Sequence, residues 1–169
     1  MALVALLGGL ATSAGANSAL QLSADALRKA PAAPSNELSV HAPTPHRLIA
    51  ADGTALPLRR WGPAPEHEPG PQAIVLGLHG FNDHAGAFAA TAAALVPKSI
   101  AVYAYDQRGF GATASRGQWP GAGALVSDAR RALGALQRRY PQRPLIVMGL
   151  SMGAAVAMLA LDDYPALDL

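Results

Sequence analysis

Residues 145–158 run Leu-Ile-Val-Met-Gly-Leu-Ser-Met-Gly-Ala-Ala-Val-Ala-Met, with Ser151 standing between Gly149 and Gly153. An apolar run with β-branched residues at its centre precedes the first glycine, and an Ala-rich stretch of helix formers follows the second. Gly-x-Ser-x-Gly between a strand and a helix is a nucleophile elbow, a tight turn that lifts the serine oxygen clear of a sheet. The chemistry it offers is attack of a hydroxyl oxygen on a carbonyl carbon. Side chains two positions either side of the serine would collide in so sharp a turn, which accounts for the glycines. A helix opening at Met152 would aim unpaired N–H groups, and the positive end of its dipole, at the oxygen on which charge develops.

The elements that must hold this turn are legible upstream. Arg47–Ala51 and Leu56–Trp61 flank Asp52-Gly53, a hairpin signal. A loop rich in Pro and Gly follows, from Pro63 to Pro71. Ala73–Leu78 reads as a buried strand ending in His79-Gly80, Ala85–Val96 as a helix, and Ile100–Tyr105 as a second buried strand. Gly109–Gly123 is loop-rich, Ala124–Tyr140 is an amphipathic helix closed by Pro141, and Leu145–Met148 leads into the elbow. Ala154–Asp163 is the helix after it, stopped by Pro165, and Ala166–Leu169 reads as the start of another strand. Strands alternating with helices after an initial hairpin specify an α/β fold, a mostly parallel sheet with helices on both faces. Ligands in such folds sit beyond the carboxyl ends of the strands. His79-Gly80, Asp106–Gly111 and Ser151 all fall at such ends, so the topology converges them on one edge.

Composition narrows the field. The chain has 169 residues, enough for one core, and 51% of them are hydrophobic. A net charge of +2 is too small to argue for nucleic acid. Arg130, Arg131, Arg138 and Arg139 resemble a basic patch, but Leu125, Ala129, Ala132, Leu133, Leu136 and Tyr140 recur beside them at helical spacing. The arginines are therefore read as the solvated side of an amphipathic helix. With no cysteine, disulfides, thiolate zinc sites and a thiol nucleophile are excluded. Met148, Met152 and Met158 read as core or pocket lining.

The first 22 residues form an apolar N-terminus. Residues 2–16 are small and greasy, and Ala14-Gly15-Ala16 suits a signal-peptide cleavage site. The usual basic start is missing, since no Lys or Arg precedes Arg28. Export to the periplasm, the exterior or a membrane surface is the expectation; a permanent span is not, because Thr12, Ser13, Asn17, Ser18 and Gln21 interrupt the run. Residues 23–45, with Pro31, Pro34, Pro43 and Pro45, read as a linker, and residues 46–169 as the folded domain.

Three stretches give the chain a family resemblance. They are Leu78-His79-Gly80-Phe81-Asn82-Asp83-His84, Tyr105-Asp106-Gln107-Arg108-Gly109-Phe110-Gly111 and Gly149-Leu150-Ser151-Met152-Gly153. Together they resemble the α/β-hydrolase superfamily, in its monoacylglycerol lipase, lysophospholipase and serine-aminopeptidase-like branch, over about residues 46–165. The resemblance implies that Ser151 is the acyl-accepting nucleophile and that the backbone N–H groups of Phe81 and Met152 form the oxyanion hole. It implies a small-molecule acyl ester or lipid substrate and no cofactor or metal. His79, tempting as a base, would instead pack behind its loop; His84 would line the pocket or cap the next helix. Asp106 would shape the sheet edge rather than act as the catalytic acid, and Arg108 would pair with a carboxylate.

Serine needs a base, and the base needs an orienting carboxylate. In this superfamily the order is Ser, then Asp or Glu, then His. After Ser151 come Asp162, Asp163 and Asp168 but no histidine; all five, at 41, 46, 67, 79 and 84, precede it. The expectation is the N-terminal half of a longer hydrolase, poorly soluble and inactive alone. The competing expectations are a non-catalytic binding module of the same fold, or an aminopeptidase or acyltransferase sharing the elbow.

Overall fold

Three apolar six-residue runs, Ala73–Leu78, Ile100–Tyr105 and Leu145–Leu150, lie side by side as parallel strands. They are buried almost throughout, which their branched side chains suit. A computed structural model describes residues 2–7, 44–63, 66 and 69–162. Its strands are β1 (Ala2–Leu7), β2 (Thr44–Ile49), β3 (Ala55–Trp61), β4 (Ala73–Leu78), β5 (Ile100–Tyr105) and β6 (Leu145–Leu150), in the order β1-β6-β4-β5-β3-β2. The helices are α1 (Ala89–Leu95), α2 (Ala122–Arg139) and α3 (Met152–Leu161).

The strand order reverses at β4, where β5 lies on one side and β6 on the other. Right-handed crossovers running in opposite directions put their helices on opposite faces. Packing agrees. On one face Phe88, Ala92 and Leu95 meet Val75, Val102, Ala104 and Ile146. On the other, Leu125, Leu133 and Leu136 of α2 and Val156, Ala157 and Ala160 of α3 meet Ile74, Leu76, Leu78 and Val147. The alternation within β4, residues 73 and 75 one way and 74, 76 and 78 the other, divides one strand between two cores. Among the described residues no helix is long and apolar enough to cross a membrane.

Several elements differ from the sequence reading. The helix expected over Ala85–Val96 is an α-helix only over Ala89–Leu95, with 3-10 turns at Ala85–Phe88 and Val96–Lys98. Side chains tighten its start: Asp106 accepts from the Ala85 N–H and the His84 ring from the Gly86 N–H. At the other end Ser99 turns left-handed, with φ 56°. α2 starts at Ala122 rather than Ala124 because Gly121 precedes it without a capping side chain, so no Ser or Asp marked the boundary. The arginines of α2 are not simply solvated. Arg130 donates to the carbonyls of Leu159 and Ala160 at the carboxyl end of α3, and Arg131 donates to the Ile49 carbonyl. A cation there complements the negative pole of α3. Met148 is buried in the core, but Met158 is half exposed on α3.

The greasy N-terminus contributes Ala2–Leu7 as an edge strand, antiparallel to β6 in a register running from Ala2↔Leu150 to Leu7↔Leu145. A short apolar run suits a strand as well as a leader, and its pattern alone does not choose. The rest of that segment, the 8–43 stretch and the strand expected at Ala166–Leu169 lie outside the described residues.

Phe88 is a fully buried aromatic side chain in the core of the α1 face. Phe88→Ala is expected to cost about 3–5 kcal/mol of unfolding free energy, read by urea denaturation. A loss below about 1 kcal/mol would show that this face does not anchor the sheet.

Candidate functional site

Ser151 leaves β6 at φ 51°, ψ −113°, a conformation that L-residues rarely adopt, and its side chain is exposed. Its carbonyl accepts from the N–H groups of Ala154 and Ala155, so α3 begins at the very next residue. The flanking glycines are required by two different neighbours. A Cβ on Gly149 would lie 2.5 Å from the backbone of Gly153 and Ala154, inside the first turn of α3. A Cβ on Gly153 would strike the carbonyl of Leu78 at the end of β4. The second glycine therefore serves the approach of α3 to a neighbouring strand, not the turn itself.

That approach brings a second loop to the serine. Leu78 pairs with Gly149 in register, and a Cβ on Gly80 would lie 3.6 Å from the Ser151 Cβ. Phe81 follows Gly80, and Met152 follows Ser151. Neither the Phe81 N–H nor the Met152 N–H donates to another group among the described residues. The turn thus presents a hydroxyl with two unengaged donors on separate connections beside it.

The loops are held by buried polar groups. His79 is fully buried, and both ring nitrogens are engaged. Nδ1 faces the Gly80 carbonyl at 2.7 Å and Nε2 faces the Gln107 N–H at 2.9 Å. A carbonyl only accepts and an N–H only donates, so the ring is neutral with its proton on Nδ1. The amide of Gln107 returns a bond to the His79 carbonyl at 2.6 Å. Burial pushes the His79 pKa below its ordinary 6.5. With its lone pair taken by Gln107, His79 serves the loop and not proton transfer at Ser151.

Asp106 is likewise buried and spent on structure. One carboxylate oxygen accepts from the Ala85 N–H at 2.8 Å, the other from the Ala112 N–H at 2.7 Å, tying the loops after β4 and β5 together. Arg108 bridges Asp128 of α2, through Nε and a terminal nitrogen at 3.0 Å each, to Asp52 of the β2–β3 turn at 2.6 Å. The guanidinium holds the Asp52 carboxyl well below the usual carboxylate range. Of the two roles open to His84, the structure shows the cap: its Nδ1 accepts from the Gly86 N–H in the Ala85 turn, and the cleft of about 290 Å³ that His84 lines with Asn82, Asp83 and Phe110 does not include Ser151. Among the described residues no group of three or more His, Asp or Glu could hold a metal ion.

Gln107, Asp128 and an aromatic cluster were missed by the sequence reading. The Phe81 ring stacks edge-on to Phe110 at 5.2 Å, and Trp119 packs 6.4 Å from both. Three rings from residues 81, 110 and 119 share no periodicity that a linear pattern could show.

The sheet is mixed: β5, β4 and β6 are parallel, but the pairings that involve β1, β2 and β3 are antiparallel, so it is less parallel than the sequence implies. This sheet, with helices on both faces and a serine turn at the switch point, has the fold of an α/β-hydrolase. A family model described as Serine aminopeptidase, S33, matches residues 69–168, and the chain belongs to that family. It is 31% identical to the monoglyceride lipase of Homo sapiens over 122 residues, which cover 72% of this chain and 39% of that protein. It is 28% identical to the monoacylglycerol lipase of Mycolicibacterium smegmatis over 121 residues, 71% of this chain and 42% of that one. A solved lipase in its open form matches with a TM-score of 0.61 at 25% identity, covering 75% of this chain and 42% of the lipase. The chain spans about two fifths of the length of these relatives.

Two outcomes follow from the geometry. Ser151→Gly is expected to raise unfolding free energy by about 1 kcal/mol in urea titrations, because glycine relieves the strain at φ 51°. An unchanged or lower stability would mean that the turn stores no strain. His79 sets a pH dependence: below about pH 6.5 the unfolded chain binds a proton that the folded ring refuses, so stability is full above that pH and falls below it. Denaturation midpoints should drop between about pH 7.5 and 5.5, and the drop should shrink in His79→Asn. An undiminished drop would assign the effect to another group.

Proposed function

We propose that this chain carries the nucleophile half of a serine hydrolase acting on carboxylic esters of lipid-like acyl groups, such as monoacylglycerols or lysophospholipids. Ser151 Oγ adds to the ester carbonyl carbon as a base removes its proton. The carbonyl oxygen, now negative, is met by the N–H groups of Phe81 and Met152. Collapse expels the alcohol with a proton and leaves an acyl-serine, which water then cleaves. No metal or cofactor enters this scheme. The base and its orienting carboxylate have no candidate here, since His79 is locked in its loop and no histidine follows Ser151.

One observation supports this reading above the others: an exposed serine at φ 51° beside two unengaged N–H donors from different connections. The ester substrate is carried over from relatives named as lipases, which favours it over the peptide substrate of the family's description. The apolar N-terminus fits export and work near a membrane surface.

A fluorophosphonate probe on the full-length protein tests the nucleophile. Labelling is expected and should vanish in Ser151→Ala; persistence would reject the assignment. Phe81→Pro deletes one donor and should cut kcat about 100- to 1,000-fold on a short-chain ester. Near-normal turnover would remove Phe81 from the oxyanion hole, and absent labelling in the intact wild type would favour a binding module.

A further inference from the structure

The rings of Phe81, Phe110 and Trp119 form a continuous aromatic surface that starts at the residue after Gly80, next to the Ser151 turn. Phe110 is the buried footing, at 6% exposure, while Phe81 and Trp119 are 62% and 59% exposed. A protein of this composition has few aromatic residues, only 5% of the chain. Leaving two large rings stacked together in solvent is costly unless something apolar covers them. The rings are also rigidly mounted. Phe110 sits edge-on to the locked His79 ring, and its N–H donates to the Gln107 carbonyl. Beyond Trp119 the surface changes character: it drops into a cleft of about 480 Å³ of mixed lining, where Arg108, Ser115 and Gln118 stand beside Ala114, Pro120 and Ala124.

We propose that Trp119, with the Phe81 ring, is the surface along which the substrate's acyl chain lies, and that Trp119 sets chain-length preference. This rests on the reading of Ser151 as nucleophile. A carbonyl held by the Phe81 N–H places the acyl carbons beside the Phe81 ring, and Trp119 is the next apolar surface outward. Each methylene laid on the rings gains up to about fourfold in binding. The gain per methylene falls off where the chain passes Trp119 and meets the mixed lining that carries Arg108, Ser115 and Gln118. The preferred substrates are therefore medium-chain esters. Trp119 touches substrate but takes no part in bond making.

The test uses the full-length protein and p-nitrophenyl acetate, butyrate, hexanoate, octanoate and dodecanoate. For the wild type, kcat/KM should climb from acetate to octanoate and then flatten. Trp119→Ala should lower kcat/KM on octanoate about tenfold, leave acetate within about twofold, and change KM more than kcat. Trp119→Phe should restore most of the slope. An equal loss on every ester would mean that Trp119 supports another part of the protein, and an unchanged slope would place the chain elsewhere; either overturns the proposal. A second readout stands apart from catalysis: octanoate quenching of tryptophan fluorescence in Ser151→Ala, where Trp61 is buried and Trp119 reports. Quenching that deepens with chain length and disappears in Trp119→Phe upholds the acyl surface even if no ester is hydrolysed, in which case the nucleophile reading fails alone. Hydrolysis without such quenching overturns the surface and leaves the nucleophile standing.

Discussion

The backbone of α3 at Gly153 lies against the carbonyls of Leu78 and His79, closer than any side chain would permit. From this contact the rest of the site follows. It lets α3 begin directly after β6, which forces the whole reversal of direction onto Ser151 and its positive φ. It also fixes where the loop after β4 must run, so that Gly80 passes within van der Waals reach of the serine. Two segments about seventy residues apart become neighbours through main-chain packing, supported by the parallel register that sets Leu78 opposite Gly149.

The buried polar groups answer a separate problem. Loops at the carboxyl ends of parallel strands lose the sheet's hydrogen bonds and must find others. His79, Gln107 and Asp106 supply them with almost nothing left over: the imidazole is spent on two main-chain groups, and the carboxylate on two more. One polar atom of this set, Gln107 Oε1, is buried without a partner among the described residues, so the arrangement is costly and is not a solvent-exposed convenience. Arg108 extends the same brace to the outer hairpin and to α2.

Much of this was legible in the chain. β4 and β5 were read with their observed boundaries, because buried parallel strands write themselves as continuous apolar runs. The serine turn was legible because its glycines are dictated by backbone geometry, which leaves a fixed spacing. The 3-10 turns around α1 were not, since the groups that tighten its start come partly from Asp106, about twenty residues away. The neutral state of His79 required knowing that Gln107 sits on its second nitrogen. Ala2–Leu7 shows the opposite limit: its apolar pattern is compatible with a leader and with a strand, and the pairing with β6 could not be read from it.

The register between β4 and β6 has a further consequence. The spacing of residues 81 and 152 is carried by hydrogen bonds of the sheet, by a glycine contact and by the buried His79 and Gln107 side chains, not by the exposed side chains of the rim. Variation in the segments that overhang this edge can therefore proceed without disturbing it. The rim that meets a guest molecule and the frame beneath it are mechanically separable, so natural drift or laboratory redesign can alter selectivity at the rim while the frame stays in alignment.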